Sequence, residues 1–253
     1  MFHRRLCALL SILLALASGP ARAATPIRLV TGPDYAPFAD PALPSGGLTA
    51  AIVLAAFAAA DLPVEPLQFE PWKRGYGDLL AGSFDATFPY IRAPQRELEM
   101  LYSDAIYDIV SIALFRAGTG HDYLGPESLN GLSLCLPIGF ASAPPVAALI
   151  KAELVHLEQP ASADLCLKEL AAGRVDVFVS AADLIDLRAA VLFGPSPPFL
   201  RGKMPVYRQS LHLIAARERP GAAELIRRFN DGLSALRANG RYDEIVKRQL
   251  GAS

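Results

Sequence analysis

Two arginines follow an apolar strand, and they are the side chains of this sequence best suited to bind an anion. The run from Asp85 to Tyr90 is mostly apolar and predicts a strand, and the loop after it carries Arg92 and Arg96. A guanidinium presents a planar fork of donors that matches a carboxylate at two points. We therefore interpret this loop as a clamp for a carboxylate. The alternative for Arg96 is a surface ion pair with Glu97 or Glu99.

The helix before this strand is expected to bring two more side chains to the same place. It runs from Pro71 to Ala81, with proline in a first turn that tolerates it and Gly82 in the left-handed position that commonly ends a helix. Helix N-termini point donors toward sites at strand ends, so Trp72 is a candidate pocket wall and Arg74 a second cation. The alternative for Trp72 is packing between two parts of the protein.

Aromatic residues also follow the first predicted strand. Ile27 to Thr31 is short and apolar, and the loop after it contains two prolines together with Tyr35 and Phe38. Aromatic rings in a loop at a strand end often line a pocket, so both are candidates for ligand contact. The alternative is a turn whose rings cover the local core.

The first 23 residues are typical of a secretory signal rather than of a folded element. Arg4 and Arg5 precede the apolar run Leu6 to Ala17, and Ala21 to Ala23 provides a small-residue cleavage site. The apolar run is 12 residues long, which is too short to cross a membrane. We expect a soluble exported protein of the periplasm whose fold begins near residue 24.

The rest of the chain has the composition of a folded protein. With 253 residues and 52% hydrophobic residues, it can bury a full core. Without the three arginines of the signal it keeps 21 basic residues (24 minus 3) against 25 acidic ones, a net charge of −4. This balance argues against nucleic acid as a partner. Cys135 and Cys166 remain in a compartment that permits disulfides, and the sequence leaves open a bridge or two buried thiols.

Several motifs together resemble one family over nearly the whole mature chain. G-x-x-D from Gly82, the strand after it and x-P-x-R ending at Arg96 resemble the ligand loop of bacterial periplasmic solute-binding proteins of the polar amino-acid type, solute-binding family 3. The loop with Tyr35, the segment Met100 to Tyr107 and the C-terminal stretch from Phe229 are similar to other motifs of this family. The resemblance implies that Arg96 grips the carboxylate of a ligand.

The resemblance also implies an α/β fold, the two-lobed type II fold of periplasmic binding proteins. Each lobe is expected to be a mixed sheet flanked by helices, with two hinge crossings between the lobes. We expect residues 24–116 and 207–253 to form lobe 1 and residues 117–206 to form lobe 2. A pattern of helix, glycine and strand occurs in both, which favours two lobes of like construction.

The resemblance leaves the ligand's charge pattern open. In the family a strand-to-helix turn offers backbone N–H groups and a hydroxyl to the carboxylate, and here Phe140 and Ala141 stand at the hydroxyl positions. Acids that hold an ammonium are expected where this chain has Gly32 and Ala181, and the nearest acid to the latter is Asp183. We therefore expect a small organic acid, or an amino acid held atypically through Asp183.

The predicted ligand-binding set combines these elements. It consists of Tyr35, Phe38, Trp72, Arg74, Tyr90, Arg92, Arg96, Gly139, Phe140, Ser142 and Asp183. Metal and cofactor sites are not expected, since the four histidines are scattered and no phosphate-binding or nucleophile motif occurs. The sequence thus predicts a binding protein and not an enzyme.

The resemblance implies a monomer that presents its closed, ligand-bound form to an ABC permease in the inner membrane. Two alternatives remain open at this point. One is a sensory protein whose closure is recognised by a signalling partner. The other is a periplasmic enzyme of the same fold, similar to dehydratases, for which Asp183 is the candidate acid–base group.

Overall fold

The structure, a computed structural model, describes residues 25–250. The predicted signal, residues 1–23, lies outside the described residues. The strands are β1 Leu29–Thr31, β2 Gln68–Phe69, β3 Ala86–Tyr90, β4 Met100–Tyr102, β5 Tyr107–Arg116, β6 Ser133–Cys135, β7 His156–Glu158, β8 Val177–Ala181, β9 Phe199–Arg201 and β10 Tyr207–Ala216. The helices are α1 Leu48–Ala59, α2 Trp72–Leu80, α3 Pro94–Glu99, α4 Pro144–Lys151, α5 Ala163–Ala171, α6 Ala182–Phe193, α7 Ala222–Ala238 and α8 Arg241–Leu250.

The strands form one path in the order β2-β1-β3-β10-β5-β8-β6-β7, with β4 on β10 and β9 on β5. β1 is parallel to β2 and β3, and β6 is parallel to β7 and β8. We call β1 to β4 with their helices the first half, and β6 to β9 with theirs the second half. The long antiparallel strands β5 and β10 join the two halves, and the mixed α/β fold predicted from the sequence is confirmed. The exact lobe boundaries stay a prediction.

β5 and β10 each take part in both halves. Residues 207–211 of β10 pair with residues 107–111 of β5, whereas residues 212–216 of β10 pair with β3 and β4. Residues 111–115 of β5 pair with β8. These shared strands therefore form the structural connection between the two halves.

The repeated glycine–strand pattern has the same structural role in each half. Asp85 accepts a hydrogen bond from the backbone N–H of Arg28, at 2.7 Å, and so ties β3 to the segment that enters β1. Asp176 accepts one from the backbone N–H of Ser133, at 2.8 Å, and so ties β8 to β6. Each aspartate satisfies a donor at the beginning of a neighbouring parallel strand, which accounts for the pattern in both halves.

Helix packing in the first half depends on one close approach. α1 is rich in alanine and is largely buried, and it packs against α7 and α8. A side chain at Gly232 of α7 would meet the carbonyl oxygen of Ala56 in α1 at 2.0 Å, so only glycine permits this spacing. Phe229 and Leu233 of the C-terminal motif are fully buried there, and their role is in the core.

The second half is closed by a disulfide bond and by a helix that the sequence interpretation missed. Cys135 at the end of β6 and Cys166 in α5 are bridged, with their Cα atoms 5.6 Å apart. Ser162 caps α5 and accepts a hydrogen bond from the N–H of Leu165 at 3.3 Å. α6 and β9 were not predicted.

None of the described helices has the length and apolar character needed to cross a membrane.

Removing the disulfide bond is expected to destabilise the protein. The bridge closes a loop of 31 residues, and the chain-entropy model gives a contribution of about 3 to 4 kcal/mol for a loop of this size. The double variant Cys135→Ala/Cys166→Ala should lower the free energy of unfolding by this amount in urea titrations. A reductant should have the same effect on the original protein and none on the variant. Equal stability of both proteins would contradict the prediction.

Candidate ligand-binding site

A cavity lies where the two halves meet over β5 and β10. The first half contributes Tyr35, Trp72, Tyr90 and Arg96, the second half Gly139 and Phe140, and the joining strands Ser111 and Gln209. Its volume is about 60 Å³, so the two halves lie close together around it. The arrangement places a small cavity at the connection between the halves.

Arg96 supplies the positive charge of this cavity. It stands on α3, the short helix that directly follows the loop after β3, and its side chain is half-buried. The guanidinium carbon lies 4.7 Å from the ring centre of Tyr90 and 5.7 Å from that of Tyr76. These cation–π contacts hold the group over two aromatic faces. The guanidinium is thereby fixed at the wall of the cavity.

Most donors of Arg96 are free for an anion. One N–H donates to the carbonyl oxygen of Gly139 in the opposite half, at 3.1 Å, and within residues 25–250 it has no other acceptor and no carboxylate partner. The glutamates considered as surface partners are engaged elsewhere. Glu97 pairs with Arg92 at 3.0 Å, and Glu99 accepts from the Tyr76 hydroxyl at 3.1 Å. A guanidinium carries five N–H donors, so a carboxylate can still be bound at two points.

Four aromatic rings surround the cavity, in contact across the halves. The ring centres of Tyr35 and Phe140 are 5.2 Å apart, and those of Trp72 and Phe140 are 6.0 Å apart, both edge to face. Trp72 also packs edge to face on Tyr90 at 5.8 Å. Burial raises the pKa of Tyr90 to about 12, and burial together with the charge of Asp183 raises the pKa of Tyr35. Both phenols are therefore neutral at ordinary pH.

The turn between β6 and α4 approaches the first half very closely. Gly139 has φ +86°, and a Cβ atom there would lie 2.7 Å from the Cβ of Trp72. Within the described part of the chain, the backbone N–H groups of Gly139, Ala141 and Ser142 have no hydrogen-bond acceptor. Gly139 and Ala141 line the cavity, so this turn brings backbone N–H groups without an acceptor to the cavity wall.

The joining strands provide an uncharged polar pair that the sequence interpretation missed. Gln209 of β10 donates from its side-chain amide to the hydroxyl oxygen of Ser111 in β5, at 3.1 Å. Ser111 pairs with Tyr207 across the two strands, and residues two apart share a face of a sheet. Ser111 interrupts the apolar run of β5, which was a weak signal, whereas Gln209 lies between Arg208 and Ser210 in a polar stretch that singles out none of them. The rest of the wall includes the hydroxyl residue Ser180 of β8 and apolar side chains such as Ile109, Leu136 and Val179.

The other predicted site residues lie outside the cavity wall. Phe38 is fully buried beneath Tyr35, with ring centres 5.0 Å apart, and Arg74 is exposed on α2. Arg92 is exposed, pairs with Glu97 and lies over the ring of Tyr102 at 4.9 Å. Ser142 and Asp183 line separate depressions. The structure thus brings together Tyr35, Trp72, Tyr90, Arg96, Gly139 and Phe140 and separates the remaining five.

Asp34 connects the opening loop to the second half. Its carboxylate accepts a hydrogen bond from the Trp72 indole N–H at 3.3 Å. Burial raises the pKa of Asp34 to about 6, although bonds from Trp72 and from the Ala163 backbone N–H at the start of α5 oppose the shift. The negative charges of Asp164 and Asp40 raise the pKa of Asp34 further. Nearby, the guanidinium of Arg188 donates a hydrogen bond to Asp164 at 2.8 Å.

The polar side chains of the cavity wall are of few kinds. Its charged group is a guanidinium, and its other polar side chains are hydroxyls and an amide. No Asp, Glu or His belongs to the wall formed by the described residues. Residues 25–250 also contain no cluster of three or more His, Cys, Asp and Glu side chains able to hold a metal ion. The arrangement can hold and enclose a small anion.

Two half-sheets joined by two long antiparallel strands, with a cavity at the joint, define the fold of the type II periplasmic binding proteins. More specifically, the chain belongs to the bacterial extracellular solute-binding proteins, family 3, whose family model matches residues 27–252. This match confirms the resemblance found in the sequence. Among curated proteins, none matches the chain.

Solved structures share the fold at low sequence identity. A histidine kinase sensor domain with similarity to periplasmic binding proteins has a TM-score of 0.76 and 19% identity, over 90% of this chain and 97% of its own. A mutant of ArgBP from T. maritima has a TM-score of 0.75 and 15% identity, over 89% of this chain and 95% of its own. The arginine-, lysine-, histidine-binding protein ArtJ from Geobacillus stearothermophilus has a TM-score of 0.73 and 18% identity, over 90% of this chain and 96% of its own. At these identities the likeness establishes the fold.

The contact between Gly139 and Trp72 can be tested by fluorescence, because Trp72 is the single tryptophan of the sequence. Gly139→Ala should keep the halves apart and expose the indole, so its emission should shift to longer wavelength. The control is Gly118→Ala, at φ +82° with no atom within 4 Å, which imposes the same backbone strain without touching the other half. An unchanged spectrum in the Gly139 variant, or an equal shift in the control, would contradict the closeness of the halves.

Asp34 should make stability depend on pH. Its pKa is raised in the folded protein, so the folded state binds a proton between about pH 4 and 6 that the unfolded chain has already lost. The contribution of this group to the free energy of unfolding is therefore present at low pH and decreases as the pH rises through about 6. Asp34→Asn should flatten the decrease between these values in urea titrations. A parallel pH profile for both proteins would show that Asp34 does not titrate there.

Proposed function

We propose that this protein is a periplasmic solute-binding protein that captures a small carboxylate-bearing ligand between its two halves for delivery to an ABC permease. The observation that carries the proposal is the half-buried guanidinium of Arg96, which faces the cavity with one N–H bound to Gly139. Burying an unpaired cation is unfavourable, so the site gains most from a ligand that brings a negative charge. Amino acids and related organic acids have this group.

Closure of the halves around the ligand is the proposed mode of capture. The lobes of residues 24–116 with 207–253 and of residues 117–206 would turn about β5 and β10. Contacts that cross the cavity support this motion, because the Arg96 bond to Gly139 and the packing of Phe140 on Tyr35 exist only when the halves are close. A carboxylate between Arg96 and the turn would bind both halves and so favour the closed form.

Delivery to a permease in the inner membrane is supported by the family and by the structural neighbours. The family consists of extracellular solute-binding proteins, and one neighbour is the substrate binding protein of an amino acid ABC transporter. The proposed partner is the permease of such a transporter, and the protein acts as a monomer without a cofactor. A gene deletion that abolishes uptake of the labelled ligand into cells would support this assignment.

A sensory role is the second candidate, and one observation favours it. A neighbour of TM-score 0.76 is the sensor domain of a histidine kinase. In that case the deletion would leave uptake intact and abolish a transcriptional response to the ligand. The enzyme alternative has less support, since Asp183, its candidate acid–base group, lies in a separate depression outside the cavity wall.

Arg96→Ala should reduce affinity for a carboxylate ligand by at least about thirtyfold, because loss of a close charge pair in a cleft costs about 2 to 5 kcal/mol. Isothermal titration calorimetry with ligands found in a thermal-shift screen of carboxylic acids measures this change. Arg227→Ala, an exposed arginine of α7 paired with Glu224 and Asp231, is the matched control and should leave affinity unchanged.

Arg92→Ala distinguishes the cavity from the exposed loop. Its guanidinium is paired with Glu97 outside the cavity, so the variant should keep the affinity of the original protein. Loss of binding in this variant together with full binding by Arg96→Ala would place the ligand on the outer loop and overturn the proposal.

A further inference from the structure

Resting on the proposed function, we infer that the ligand is a monocarboxylate with an uncharged body, and that Ser111 and Gln209 bind an uncharged hydroxyl or carbonyl group of it. The cavity therefore selects against the α-ammonium group of an amino acid. This conclusion follows from the charges of the cavity, the residues that fill its walls and the hydrogen-bonding capacity of the polar pair.

The first argument is the balance of charge. Arg96 is the cation of the wall, and the described residues that line the cavity include no carboxylate. A zwitterionic ligand would place its ammonium group in the same small space as the guanidinium, without an anion to neutralise it. An unpaired buried charge is unfavourable, whereas a single carboxylate matches the single guanidinium. A ligand with one negative charge and no positive charge satisfies the cavity.

The second argument is that two informative positions carry no acid, and that one of them has no room for a side chain. Trp72 fills the space beside Gly32, and a Cβ atom on Gly32 would lie 2.1 Å from the indole. The indole N–H is already bound to Pro33 and Asp34, at 3.1 and 3.3 Å. Ala181 is part of the wall and presents a methyl group. The wall beside Ala181 therefore carries no charge, with Ser180 as its polar residue, and suits an uncharged ligand body.

The third argument concerns the polar pair on the joining strands. The Gln209 amide donates to the Ser111 hydroxyl oxygen at 3.1 Å, which leaves the amide oxygen as an acceptor and the hydroxyl proton as a donor. Ser111 is buried and Gln209 half-buried, so a ligand group that reaches them leaves bulk water. A hydroxyl or carbonyl group can satisfy this neutral pair, whereas an ammonium group finds no opposite charge there.

Matched ligand pairs test the inference, because each pair differs only in hydroxyl against ammonium. The probes are 2-hydroxyisovalerate with valine, and 3-phenyllactate with phenylalanine, measured by isothermal titration calorimetry. The original protein should bind at least one of the hydroxy acids, and should bind it at least about tenfold more tightly than the corresponding amino acid. Gln209→Glu adds a carboxylate to the wall and should reverse this order. Gln68→Glu, on the exposed edge strand β2, is the control and should keep the original order.

A second variant keeps the test decisive if Gln209→Glu does not fold. Gln209→Met preserves the size of the side chain and removes its polar group. It should reduce the advantage of 2-hydroxyisovalerate over isovalerate, which lacks the hydroxyl. If the original protein and the variant prefer 2-hydroxyisovalerate over isovalerate to the same degree, the polar pair does not bind the hydroxyl of the ligand.

The outcomes separate this inference from the proposed function. If the original protein binds the amino acids as tightly as the hydroxy acids, and Arg96→Ala loses both, the inference is wrong and carboxylate capture stands. If no probe binds at millimolar concentration and the screen of carboxylic acids also finds no ligand, both proposals fail. An unchanged order of affinities in a folded Gln209→Glu variant would also overturn the inference.

Discussion

The arrangement of the cleft depends on one guanidinium that the chain itself leaves without a counter-charge. Arg96 lies against the faces of Tyr90 and Tyr76 and donates to a carbonyl of the opposite half. Cation–π contacts and one neutral hydrogen bond compensate only part of the lost hydration of a cation. Other features of the cavity are arranged around this charge. Aromatic rings contact the guanidinium, backbone N–H groups without an acceptor lie in the nearby turn, and apolar side chains limit the access of water.

Much of the fold and part of the site were readable from the sequence. The apolar run ending at Tyr90 predicted a strand, and the residues after it predicted the segment that puts Arg96 at the cavity. The glycine–strand pattern appeared twice, and its aspartates turned out to bind equivalent backbone donors in the two halves. These patterns involve residues that are close together in the chain, so they can be recognised in a single sequence.

The remaining features depend on contacts between distant segments. Arg92 and Arg96 are four residues apart and were both predicted to bind the ligand, yet one pairs with Glu97 in solvent while the other faces the cavity. The meeting of Ser111 with Gln209 results from the pairing of β5 with β10, and neither segment has a motif. Gly32 looks like the loss of a functional acid, and only the structure shows the indole of Trp72 occupying that space.

The strands that connect the halves also form the floor of the cavity, and this has a consequence for how such a protein can diversify. Substitutions at Ser111 or Gln209 would alter the chemical preference of the cleft and the stiffness of the connection at the same time. Selection for a different ligand would therefore change the connection between the halves together with the binding preference. Substitutions in the turn near Gly139 would be restricted differently, because a larger side chain there would have to fit against Trp72 of the first half.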